Sequence, residues 1–178
     1  MSETTDQSHE QPRASVLDLK FISHGTLETK DPDATRRFYE EFMGFEVIRS
    51  SPMSLMMRVR GGPHIYVVVP KPKDGPPMSV TNHNGIDVHS DEEVDQAHRL
   101  VKRDADKWGL HRISKPMVQH GTYSFYFWDR DDNSWEILSN PPGGYSWMFE
   151  RGDQEGKGTF AKDFVRPTSL AAGNVEAS

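Results

Sequence analysis

Eight histidines and no cysteine confine any metal chemistry in this chain to imidazole and carboxylate donors. Disulfides, thiolate metal sites and a cysteine nucleophile are excluded together. Two of the histidines stand apart. His24 lies in LDLKFISHGTLET and His83 in SVTNHNGIDVHS, each early in the first strand-like segment of one of two similar stretches. Glu136, in SWEILSN, is a carboxylate among apolar strand residues, where burial without a partner is costly. A cation between the three would offset that cost. Two imidazoles and one carboxylate, with other positions open, is the donor set of non-haem Fe(II) oxygenases; with water and a different fourth ligand it also suits Zn or Mn.

His64 competes for a place in that set. It opens the last strand-like segment of the first stretch and so corresponds roughly to Glu136 in the second. As a fourth ligand it would leave less room for chemistry. Its other readings are a base beside the metal, or a histidine facing solvent next to Gly61-Gly62-Pro63. The remaining histidines read blandly: His9 in a polar tail, His98 solvated beside Arg99 on a helix, His89 and His111 on the surface at element ends.

These donors need a scaffold, and the chain writes one pattern twice. The first copy runs strand, helix, then three strands. Asp31 caps the helix, Pro32 suits its first turn, Ala34, Phe38 and Phe42 form its apolar stripe, and Gly44 ends it. FEVIRSS, SLMMRVR and HIYVVV follow as strands. A Pro-rich connector, PKPKDGPPMS, leads to the second copy. There Ser90 and Glu93 form a capping box, a longer helix runs to Gly109, and LHRIS, YSFYFWD and SWEILSN read as strands. The expected architecture is α+β: two β-α-β-β-β modules, residues 16–70 and 78–140, whose sheets pair into a cupped, barrel-like core. Residues 1–15 read as a disordered tail and 141–178 as a C-terminal extension, itself ending in a tail from about residue 166.

The formal net charge is −6, with both signs scattered. Arg36, Arg37, Lys102 and Arg103 read as solvated helix faces, so no basic stripe offers itself to nucleic acid. No apolar run is long enough for a membrane span, and the polar N-terminus is no secretory signal. A soluble, cytoplasmic protein with small-molecule partners is the expectation.

The phrases SHGTLETKDPDATRRFYEEFMGFEVI, NHNGIDVHSDEEVDQA and YFWDRDDNSWEIL resemble the vicinal oxygen chelate superfamily, which includes glyoxalase I, fosfomycin-resistance proteins, bleomycin-binding proteins and type I extradiol dioxygenases. The run from His120 through Tyr126 and Asp129 to Glu136 resembles the dioxygenases in particular, although Arg130 and Asp132 replace the proline and glycine of their turn, and the gap from His120 to Tyr126 is slightly short. The resemblance implies an Fe(II) site that cleaves a catechol-type aromatic diol with O2, beside rather than between its hydroxyls. In that reading His120 acts as acid/base, and Tyr126 hydrogen-bonds the bound diol. It also implies a homodimer. The competing readings are a glyoxalase-like lyase or isomerase, with His64 as fourth ligand and Zn, Ni or Mn as metal, and an antibiotic-binding protein without metal. Trp128, Trp135, Tyr145, Trp147 and Phe149 are expected to pack as core or wall, and residues 141–165 to form either a lid or an outer strap.

Overall fold

The structure, a computed structural model, describes residues 16–17, 19–154, 156–162 and 164–167. The expected tail 1–15 lies outside them, as do residues 168–178 of the tail expected from about 166.

Capping chemistry sets where the first helix of each module starts. The Asp31 carboxylate accepts from the backbone N–H groups of Asp33 (3.0 Å) and Ala34 (3.1 Å), and Pro32 opens α1 (Pro32–Arg37). The helix widens into a π turn (Phe38–Phe42) that buries both Phe38 and Tyr39. Gly44, at φ +73°, follows it. In the second copy Ser90 Oγ accepts from the Glu93 N–H, and the Glu93 carboxylate accepts from the His89 N–H at 2.9 Å. This box starts α2 (Asp91–Arg103); α3 (Ala105–Trp108) follows, closed by Gly109 at φ +68°.

The strands are β1 (His24–Thr29), β2 (Glu46–Ser51), β3 (Ser54–Arg58) and β4 (Ile65–Pro70), then β5 (Asn84–Val88), β6 (Met117–Gln119), β7 (Thr122–Trp128) and β8 (Ser134–Ser139). They form two four-stranded sheets with matching orders, β1-β4-β3-β2 and β5-β8-β7-β6. In each, the first strand pairs in parallel with the last, and the other pairs are antiparallel. The duplicated α+β module is thus observed. The two sheets do not join, however, so within one chain the cup stays open.

Two boundaries differ from expectation. His83 precedes β5, at the end of a short 3-10 turn (Val80–Asn82). LHRIS forms a single bridge, His111 to Trp128, and the strand forms later as β6. Ser114 Oγ accepts the Tyr126 N–H in place of a ladder partner, and Pro116 has no N–H to give, so regular pairing begins at Met117. His98 also departs from the solvated reading: its ring packs edge-on against Phe125 at 5.1 Å, and burial lowers its pKa.

Alternation sends Leu27, Leu55, Met57 and Val68 of the first sheet, and Phe125, Phe127, Trp135 and Ile137 of the second, into one core with residues of both helices. Polar groups lock the modules together. The Asn133 side chain pairs with the main chain of Glu28 in both directions at 2.9 Å, Tyr39 donates to Asp129 at 2.6 Å, and Thr35 donates to Asp131. Asp132 adopts φ +71°, the left-handed conformation that a glycine would take without strain at this turn. Among the described residues, no helix is long and apolar enough to cross a membrane.

Candidate metal centre

The strand register places the candidate donors. On the outer face of the second sheet, Gly85 of β5, Glu136 of β8 and Tyr126 of β7 stand in one row. Glu136 is 4 % exposed. His83 reaches it from just before β5, with Nε2 3.0 Å from the carboxylate. The Tyr126 ring packs edge-on against His83 at 4.9 Å, within the field of the Glu136 carboxylate. Burial first, and then the Glu136 charge, push the Tyr126 phenol well above its ordinary range, so it stays a donor.

His83 fits a metal ligand on its own geometry. Its Nδ1 lies 2.5 Å from the Val80 carbonyl, which can only accept, so Nδ1 carries a proton. Nε2 is then turned to a carboxylate, and the contact requires a proton or a cation between them. Gly85 leaves the space for one: a Cβ there would meet Leu138 at 3.1 Å and the Glu136 carboxylate at 3.9 Å. Two donors therefore fit.

The third, His24, is elsewhere. It lies exposed on the outer face of the first sheet, with Nδ1 2.8 Å from Ser23 Oγ. Among the described residues, no three His, Asp or Glu side chains stand close enough to hold a metal ion. His120 sits in the turn between β6 and β7 at φ +52°, its ring edge-on to Phe160 at 4.8 Å. His64 is turned to the inner face: it contacts the Tyr66 ring at 4.9 Å, and Tyr66 in turn packs on Trp135. The first-module row that matches Gly85–Glu136–Tyr126 is Thr26–Val67–Met56, so Val67, not His64, is the counterpart of Glu136.

Tyr145, expected to pack as core or wall, is 43 % exposed; partial burial of its phenol, and then the Glu136 charge, raise its pKa.

The duplicated β-α-β-β-β module, with an imidazole facing a carboxylate on one sheet, defines the class of fold. The family model for the Glyoxalase/Bleomycin resistance protein/Dioxygenase superfamily matches residues 21–137, and the chain belongs to that superfamily. Among solved structures, a possible glyoxalase from Bacillus cereus is 26% identical, with a TM-score of 0.54 over 67% of this chain and 99% of that one. The fosfomycin resistance protein FosX from Listeria monocytogenes, complexed with Mn(II) and sulfate, is 21% identical, with a TM-score of 0.57 over 74% and 98%. Lactoylglutathione lyase from Agrobacterium tumefaciens is 19% identical, with a TM-score of 0.51 over 73% and 96%. No curated protein matches this chain.

Proposed function

We propose that this protein is a metal-dependent enzyme that takes its substrate through two neighbouring oxygens, and that its reaction is extradiol cleavage of a catechol-type aromatic diol with O2 at an Fe(II) centre. His83 and Glu136 hold the metal, and His24 of a second copy completes the set in a homodimer. β1 and β5 are both edge strands, so two copies can pair β1 of one with β5 of the other and continue the sheet. When bound, the metal polarises the substrate oxygens and makes them easier to deprotonate.

One observation carries the choice of chemistry. With Val67 in the place that matches Glu136, and His64 on the opposite face, the chain offers no fourth protein ligand at the positions weighed for one. The coordination positions needed by a diol and by dioxygen are left open. Tyr126 stands in the same row as Glu136, where its hydroxyl can hold a deprotonating substrate oxygen. His120, at the β6–β7 turn, is the proposed proton donor to the product side. The alternative is a lyase or isomerase using the same donors with Mn or Zn, kept in view by kinship with the possible glyoxalase. A metal-free binding role would require the His83–Glu136 contact to be an ion pair with a protonated imidazole.

The test is anaerobic reconstitution with Fe(II), followed by catechols and oxygen. Oxygen uptake with a yellow ring-cleaved product supports the reading. Full metal occupancy without uptake on any catechol, alongside turnover of a hemithioacetal, replaces it with the alternative.

A further inference from the structure

Just ahead of β1 the chain carries a short apolar segment with its side chains in water. Leu19, Phe21 and Ile22 are 78 %, 61 % and 81 % exposed, and residues 19–23 belong to no helix or ladder. Clustered exposed apolar side chains mark a surface built for association. A free edge elsewhere in the fold can receive them. β5 pairs on one side only, with β8, so its other side offers backbone N–H and C=O groups without a ladder partner among the described residues. Beside that edge, Ile86 and Val88 line an open apolar cleft of about 210 Å³ with Phe42, Met43, Ala97 and Leu100.

The segment and the edge match in one register. A centre shared between copies requires His24 of one beside His83 and Glu136 of the other. Laid fully along β5 in the antiparallel sense, β1 would set His24 opposite the partner's Val88, about 17 Å from the partner's His83 at ~3.4 Å per residue. Setting the two histidines level slides the segment ahead of β1 onto β5 instead. Counting back from His24 and forward from the partner's His83 pairs Ser23 with the partner's Asn84 and Ile22 with the partner's Gly85. Phe21 then meets the partner's Ile86, Lys20 the partner's Asp87, and Leu19 the partner's Val88. Polar side chains face polar, apolar face apolar, and a cation faces a carboxylate. Directly opposite residues share a face, so Leu19 and Phe21 fall on the cleft, while Lys20 and Ile22 fall on the face that carries Glu136. A slip of one residue breaks the charge pair and sets Lys20 against an apolar side chain.

We propose that residues 19–23 are an exchanged strand: they pair antiparallel with β5 of a second copy of this chain, close its apolar cleft and carry His24 to its metal centre. The register rests on the metal reading; the exposed segment and the free edge stand without it.

The chain has no cysteine, so an introduced thiol is the only one present. Two single-cysteine chains, Phe21→Cys and Ile86→Cys, are refolded as an equal mixture and oxidised; a second mixture combines Leu19→Cys with Val88→Cys. Directly opposite residues of an antiparallel pair have Cα atoms about 4.5–5.5 Å apart, within disulfide reach. Both mixtures should give a band at twice the 20.3 kDa chain mass on a non-reducing gel, and none of the four variants should do so alone. With the thiols on different chains, the band reports pairing between copies only. Lys20→Glu sets like charges opposite each other twice in the dimer. It should raise the dimer Kd about 10-fold in sedimentation at low salt, and less at about 1 M salt. No linked band from either mixture, in a protein whose wild type retains metal, overturns the exchange and leaves the metal reading standing. Linked bands from both mixtures, in a protein that retains no metal, uphold the exchange and overturn the metal reading. A dimer Kd that Lys20→Glu leaves unchanged overturns the register.

Discussion

The two modules share their strand order and register but differ on their outer faces. In module one that face is open and mixed: Ile48 is 62 % exposed and lines a shallow groove with Met56, Ile65 and the Glu46–Arg58 ion pair. In module two it is covered by the connector around Met78 and by the C-terminal strap, and it holds Ser124, Tyr126, Ser134 and Glu136 in buried or half-buried positions. Matched rows make the contrast plain. Thr26–Val67–Met56 has no acid; Gly85–Glu136–Tyr126 has one with a phenol beside it. A duplicated scaffold has been differentiated so that one copy carries a facing imidazole and carboxylate and the other does not.

The largest effect expected from breaking this contrast is at its centre. Glu136→Ala removes the buried carboxylate and should abolish metal retention, measured by elemental analysis of protein dialysed after loading. Val67→Ala, at the matched place in module one, should leave the metal content at the wild-type level. Loss of metal in both would mean that the two rows are not functionally distinct.

Next in size is the division of labour between copies. His24→Ala and Glu136→Ala should each lose metal alone. If the site draws His24 from a second copy, an equal mixture refolded together regains about one quarter of the wild-type sites, since half the dimers are mixed and each has one intact site of two. No recovery on mixing would place all three donors within one chain.

Tyr126→Phe should act more gently. It keeps the ring on His83 and removes only the donor to the site. Metal content should hold while turnover on catechols falls about 100-fold, the lower range for a positioned proton-handling group. His120→Ala should likewise retain metal and slow turnover. Should it lose metal instead, His120 is a ligand and its assignment as acid/base is wrong.

Most of the scaffold was legible because its signals are local. Asp31-Pro32, Ser90–Glu93, Gly44 and Gly109 mark helix ends through chemistry that needs no tertiary context. Period-2 alternation likewise placed Tyr126 and Glu136 on strands, and the register sets them in one row. What escaped depended on distance. The face of His64 is set by where β4 begins, one residue later than HIYVVV suggests, and by its stacking on Tyr66. The start of β6 was shifted by a side-chain hydroxyl capturing a backbone donor, which no periodicity reports. The seat of Trp147 on Gly121 likewise depends on residues that are far apart in sequence. The meeting of His24 with His83 and Glu136 is absent within one chain, and no reading of strand order alone could say so.

The last expected effect is on stability and tests the joint between the modules. The β7–β8 turn of module two carries Asp129, Asp131 and Asn133 into module one, whereas the matching β3–β4 turn closes on itself through the Gly62 N–H and the Val59 carbonyl. Asp129 is fully buried; burial outweighs its donors from Tyr39 and Asn133 and raises its pKa from 3.8 to about 6. A carboxyl with a raised folded-state pKa binds its proton more tightly folded than unfolded. Its contribution to stability is therefore complete below the unfolded value and is lost as pH rises through about 6. Asp129→Asn cannot titrate. The stability of wild type relative to this variant should fall by up to about 3 kcal/mol between pH ~4 and pH ~7, at 1.36 kcal/mol per pKa unit. Urea denaturation at the two pH values measures it, and the fixed cost of placing an amide among donors cancels in the difference. A relative stability that rises with pH would mean that the hydrogen-bond donors, not burial, govern Asp129, and that the joint is held by a carboxylate ionised well into the acid range.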